Sequence, residues 1–180
     1  MIEVLAALSA SAAVGIRIAI PLLIIGVLQG HNFWSQVPIL SRISPPVLFS
    51  FLTAWSLVEL FASKKLLGQR VLQLVEVLLS PLVGAIMGLT VASATPAPDW
   101  LIALIGGSLA FVLQLVQIAW FYRLRGLPLW AVFLQDTLCV ALVLFAFNAP
   151  WQGGLIALLL LWFAIRSAKQ WYSWYYQGKK

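Results

Sequence analysis

Residues 5–28 read LAALSASAAVGIRIAIPLLIIGVL. An apolar run of this length matches the roughly 20 residues that a helix needs to cross a bilayer. Its one charge is Arg17, and Pro21 follows about one turn later. A cation inside such a run is costly unless it is partnered, so Arg17 demands an acid from elsewhere in the chain. Ala7, Ser11 and Gly15 recur every four residues and give the helix a small-residue face for close packing.

Outward from this run the chain continues in the same manner. Further apolar segments cover residues 47–62, 71–94, 100–122, 129–147 and 153–168, divided by charged and turn-forming clusters. The sharpest breaks are Gln29 to Pro46, with Gly30-His31-Asn32 and Pro45-Pro46, and Thr95-Pro96-Ala97-Pro98-Asp99. Six spans with short loops nearly exhaust 180 residues. The expected fold is therefore all-α, a polytopic membrane bundle of about six transmembrane helices in a single domain over residues 1–180. Composition agrees: charged residues make up 9% of the chain and hydrophobic ones 63%, too little charge to coat a soluble domain.

Orientation is read from the basic residues in the short loops. Lys64, Lys65, Arg70, Arg123, Arg125, Arg166, Lys169, Lys179 and Lys180 fall on one side, and Arg42 on the other. This asymmetry predicts that both termini are cytoplasmic, in a bacterial inner or internal membrane. It also makes the net charge of +6 a topology signal rather than a nucleic-acid footprint. Trp34, Trp100 and Trp151 are expected at the outer boundary, and Trp120, Trp130, Trp171 and Trp174 at the inner one. The tail from Arg166 to Lys180 alternates bases with Trp171, Tyr172, Trp174, Tyr175 and Tyr176, the composition of an interfacial segment against anionic lipid. Glu3, and the lack of a base before the first apolar run, argue against a signal peptide.

Chemistry is carried by few residues. Arg17, Glu59, Glu76 and Asp136 are the ionisable groups expected within the hydrocarbon. At about 1.5 Å per residue, Glu59 lies about 20 Å below the outer edge and Arg17 about 16 Å below it. Asp136 lies about 12 Å above the inner edge by the same rise. These depths let Arg17 meet Asp136, Glu59 or both in the inner half of the bundle. Gln69, Gln73, Glu76 and Ser80 share one helical face, which continues by fours into Gly84 and Gly88. Gly84-Ala85-Ile86-Met87-Gly88 is a GxxxG, a surface for close approach by another helix. Gly107, Ala110, Gln114 and Gln117 share a face in the following span, where the two amides serve as interhelical hydrogen-bond partners or line a wet cavity. Pro21 and Pro81 can kink their helices.

Cys139 is the one cysteine and lies in an apolar run, and His31 stands alone in a loop, so no metal site, cofactor or disulfide is expected. No phosphate-binding glycine loop, dinucleotide fingerprint or HExxH occurs, and nothing argues for an enzyme.

Two stretches resemble the bacterial membrane family catalogued as domain of unknown function 4126. One is Ser9 to Arg17 followed by Pro21-Leu22-Leu23, similar to that family's small-rich opening helix with Gly-x-Arg and Pro-Leu-Leu. The other is Glu59 with Lys64, then Pro81 and Gly84. Asp136, opening an apolar run, resembles a third motif. The family pattern commonly has acids where this chain has Ser63, Gln69 and Gln73, and a base where it has Ser80, so the resemblance implies a less charged branch. It implies topology and site positions, and no activity.

Two functions fit these residues. The first is transporter- or channel-like movement of a small solute or ion, with Arg17, Glu59, Gln73, Glu76, Gln114, Gln117 and Asp136 as path candidates and Gly15, Gly84 and Gly88 in helix packing. Three spans plus three would permit an inverted repeat, although Glu59 and Asp136 do not align in the two halves. The second is an accessory subunit or assembly factor of a membrane complex. The bilayer is the expected environment, and a homo-oligomer or another membrane protein the expected partner. An aqueous vestibule reaching Arg17 favours transport; a dry interior with a lipid-facing GxxxG favours a partner subunit.

Overall fold

The computed structural model describes residues 2–29, 44–62, 66–92, 98–124 and 126–177. His31, Trp34, Arg42, Ser63, Lys64, Lys65, the Thr95-Pro96-Ala97 turn, Arg125, Lys179 and Lys180 lie outside them, as do the side chains of the aromatic tail from Trp171 onward. The described residues form seven helices and no strand: α1 (Ile2–Ile16), α2 (Ala19–Gln29), α3 (Pro45–Ala62), α4 (Leu66–Val91), α5 (Asp99–Leu124), α6 (Leu129–Asn148) and α7 (Pro150–Gln177).

Residues 5–28, expected as one span, are two helices broken at Arg17-Ile18. Pro21 explains the place. Its ring excludes the carbonyl four residues back, which is that of Arg17, and it has no N–H to donate there. Pro21 instead sits in the first turn of α2, where a missing N–H costs nothing. The 15 residues of α1 rise only about 22 Å, less than the roughly 30 Å hydrocarbon core. Four other helices contain stretches long and apolar enough to cross a membrane: Gly68–Val91, Asp99–Leu124, Leu129–Asn148 and Pro150–Lys169.

α1 is the axis of the bundle and packs against α4, α5, α6 and α7. Ala10, Ala12, Ala13 and Val14 are fully buried, since small side chains let four helices close around one. α2 and α3 pack on each other beside this core, α2 also touching α6 and α3 touching α4. The outer surface, unlike that of a soluble domain, is rich in large apolar side chains, and several polar residues lie inside. Ser9, Ser11, Glu59, Glu76 and Gln114 are buried, while Leu74 and Leu78 are 75% and 77% exposed on the outer face of α4. That surface suits lipid and would be an aggregation liability in water. The chain is an integral membrane helix bundle.

The glycines expected in packing are consumed inside the chain. A Cβ on Gly84 would stand 2.5 Å from Ala110 Cβ and 2.9 Å from the Gly106 carbonyl oxygen on α5. Gly88 faces Ser11 and Ile102, and a Cβ on Gly15 would stand 2.8 Å from the Ala110 Cα. The GxxxG therefore joins α4 to α5 and α1 and is not lipid-facing. Ser11 Oγ donates to the Gly84 carbonyl at 3.0 Å, and Ser9 Oγ to the Leu142 carbonyl at 2.7 Å, tying α1 to α4 and α6.

The C-terminal tail also departs from expectation. It is not a separate segment lying on the surface; α7 runs unbroken for 28 residues to Gln177, a length of about 42 Å. Nothing in Arg166 to Gln177 is a helix breaker, so the helix continues past the hydrocarbon edge.

Gly106→Leu should lower thermal stability in detergent by about 1–3 kcal/mol or prevent assembly, since its Cβ would lie 2.7 Å from the Gly84 carbonyl oxygen. Leu78→Ala, on the exposed face, should leave the melting curve unchanged; equal losses for both would show that the two faces are misassigned.

Candidate functional site

The site forms at the break between α1 and α2. Arg17 is 6% exposed and its guanidinium spans two helices: Nε donates to Asp136 Oδ1 on α6 at 3.0 Å, and Nη1 to Glu76 Oε1 on α4 at 3.5 Å. The planar fork of arginine is suited to holding two acids at once. The opposite oxygen of Glu76, Oε2, accepts from Gln114 Nε2 on α5 at 2.8 Å. One ion-pair network thus links α1, α4, α5 and α6.

Glu59 takes a different part from the expected one. Its carboxylate accepts from the backbone N–H of Ala19, at 3.1 Å to Oε1 and 3.3 Å to Oε2, and from Trp55 Nε1 at 3.1 Å. Ala19 opens α2, where backbone donors have no helical partner, and an anion there is also favoured by the helix dipole. Glu59 therefore caps a half-helix from α3, and the second ion-pair partner of Arg17 is Glu76. The other end of the break is also satisfied. The Gly15 carbonyl, in the last turn of α1, accepts from Gln117 Nε2 at 2.9 Å, and the Cys139 thiol lies 3.5 Å from the Ala13 carbonyl oxygen. Arg17 itself stands just past the negative end of α1, the favourable end for a cation.

Below the ion pairs the site continues as amides. Gln135 Nε2 donates to Gln117 Oε1 at 3.3 Å. Gln69 clamps the loop before α6, its Oε1 accepting from Leu127 N at 3.3 Å and its Nε2 donating to Leu127 O at 3.5 Å. That loop turns at Gly126, whose φ of 127° favours glycine, and whose N–H closes the end of α5 on the Phe121 carbonyl. Arg17, Gln69, Gln73, Glu76, Gln117 and Gln135 line a cavity of about 20 Å³. This is room for about one water molecule. Ser80 Oγ, one turn beyond Glu76, is buried without a hydrogen-bond partner among the described residues.

A family model described as "Domain of unknown function (DUF4126)" matches residues 4–170. The chain belongs to the DUF4126 family. No curated protein and no solved structure matches it. The match runs through every helix of this DUF4126 bundle and contains the whole Arg17 cluster.

Arg17, Glu76, Gln114 and Asp136 are thus brought together, with Gln73 and Gln117 on the cavity below them. Glu59 touches the cluster through the α2 backbone. Gly15, Gly84 and Gly88 stand in the interhelical packing around it. Gln135 and Trp55 were not foreseen. The adjacency of Gln135 to Asp136 is a faint signal for the first, and the spacing of four between Trp55 and Glu59 for the second.

Removing one member of a buried ion pair leaves its partner uncompensated. Arg17→Met should cost about 3–5 kcal/mol in a detergent melt. Combining it with Glu76→Gln and Asp136→Asn should restore most of that loss. Glu59→Ala should cost about 1–2 kcal/mol as a lost helix cap; a melting curve unchanged by Glu59→Ala would contradict that role.

Proposed function

We propose that this chain is a small membrane transporter that moves protons, or a small solute coupled to protons, through the Arg17 cluster, with the C-terminal end of α7 on the cytoplasmic side. The observation that carries this reading is the charge balance at the helix break. One guanidinium faces the carboxylates of Glu76 and Asp136, with Glu59 at the start of α2. Two acids exceed the fixed positive charge in a low-dielectric interior, and bound protons are the cations that balance them at least cost. A broken helix whose half-helix ends point into the bundle is a recurrent plan for transport sites.

The geometry supplies a mechanism. Arg17 holds α6 through Asp136 and α4 through Glu76. A proton taken by either acid weakens its hold on the guanidinium and releases one helix from the other. Proton occupancy thereby biases the relation of α4 to α6, the two-state element that alternating access requires. Gln69, Gln73, Gln117 and Gln135 provide a polar route from the cluster toward the loop at Leu127, at the end of the bundle bearing Arg70 and Arg123. The positive-inside bias favours the cytoplasm for that end. α1 runs antiparallel to α6, Ser9 meeting Leu142 and Arg17 meeting Asp136, so the N-terminus lies at the opposite end beside Ala149 and Trp151, which corrects the expectation that both termini share one side.

A second reading, an accessory subunit of a membrane complex, is favoured by the small size of the polar cavity, about 20 Å³. In that case the ion pairs fix helix packing and nothing passes.

Proteoliposomes carrying a pH gradient separate the two. The wild-type chain should dissipate the gradient faster than empty vesicles. Glu76→Gln and Asp136→Asn should each slow it at least about tenfold, the effect of ~1.4 kcal/mol on a barrier. A wild-type rate equal to that of empty vesicles, with a stoichiometric partner recovered in mild detergent, would establish the accessory role instead.

A further inference from the structure

Hollows larger than the one at the Arg17 cluster lie elsewhere on the molecule. On the outer surface α5 and α7 line two adjoining hollows of about 440 and 470 Å³, which share Leu115, Val116 and Ala168. Their walls are otherwise apolar, with Val112 and Ala164 at one end and Ala119 near the other. The Trp120 indole N–H donates to Ser167 Oγ at 3.0 Å and, with the ring stacked on Phe163, joins the two helices beside the groove. From Val112 to Arg123 the groove follows α5 for about 16 Å, roughly half the ~30 Å hydrocarbon core, so it spans one leaflet.

At its polar end stand Arg123 on α5 and Lys169 on α7, both exposed. No acid lines either hollow, and the ion pairs among the described residues belong to Arg17, leaving these two cations uncompensated. We propose that this groove is a binding site for an anionic phospholipid, with an acyl chain along Leu115, Val116 and Ala168 and the phosphate between Arg123 and Lys169. Charge complementarity selects this occupant. A zwitterionic lipid brings its own cation to the basic end. A second copy of the chain would bring Arg70, Arg123, Arg166 and Lys169 to the same depth and repel. Basic pockets between helices at the cytoplasmic side are suited to anionic headgroups in general. The site is independent of whether the Arg17 cluster moves protons.

The test is a titration of phosphatidylglycerol into the full chain purified in detergent, with phosphatidylcholine of the same acyl chains alongside. Retained lipid is counted by native mass spectrometry. One phosphatidylglycerol should be retained in preference to phosphatidylcholine. Arg123→Gln and Lys169→Gln should each weaken it roughly fivefold, and together on the order of 30-fold. Both side chains are exposed, so the variants should fold as the wild type does. Arg70→Gln, basic at the same end but outside the groove, should change nothing. Ala168→Leu, which fills the groove without altering charge, should weaken both lipids. Equal retention of the two lipids, an equal effect of Arg70→Gln, or indifference to Ala168→Leu would each overturn the site. A dimer that excludes lipid would overturn it in favour of a second copy.

Discussion

The bundle depends on one guanidinium placed where the chain cannot continue as a helix. Pro21 forces a break one turn upstream, and the break exposes carbonyls at the end of α1 and N–H groups at the start of α2. In lipid such groups must find protein partners. They find them in Gln117 and Glu59, while Arg17 reaches Asp136 and Glu76. Four helices, α3 to α6, contribute a side chain to satisfying a break of two residues. The position of each is therefore coupled to the others through a few short hydrogen bonds.

Close packing around α1 makes that coupling possible. With Ala, Ser and Gly on α1, and Gly84, Gly106 and Ala110 facing it and each other, backbones approach until hydroxyls and amides reach carbonyls of neighbouring helices. Larger residues would hold α4 and α6 too far apart for one side chain to bridge. The small-residue faces thus have a use beyond dispersion: they bring acids on distant segments within reach of a single arginine. The same closeness leaves little internal space, and the polar cavity holds about one water. Any movement through this site requires α4 and α6 to shift, and their shared hold on Arg17 is the natural control of that shift.

The outer surface follows a separate logic. Lipid-facing leucines on α4 need only be apolar, and their identity is weakly constrained. The α5–α7 face differs because hollows between the two helices reach the end where their bases gather, so shape and charge coincide there.

Much of this was open to reading in the sequence because it depends on local periodicity. Apolar runs mark where helices lie, since a bilayer admits few alternatives. Spacings of three and four placed Gln69, Gln73, Glu76 and Ser80 on one face, and Gly84 and Gly88 beyond them. The cost of a buried cation made an acid partner for Arg17 necessary. Which acid it would be was not open to reading. Asp136 and Glu76 lie 119 and 59 residues from Arg17, and the rotation and depth of whole helices decide whether they meet. Depth pointed to Asp136 and Glu59 as partners, but the break at Arg17-Ile18 turned Glu59 toward the new N-terminus of α2 and left the second place to Glu76. The inward direction of the GxxxG and the continuation of α7 through the tail likewise followed from packing and from unbroken helical hydrogen bonding. Periodicity fixes which residues share a face of a helix. Only tertiary structure decides what that face meets, because the energies that orient helices come from contacts between segments far apart in the chain.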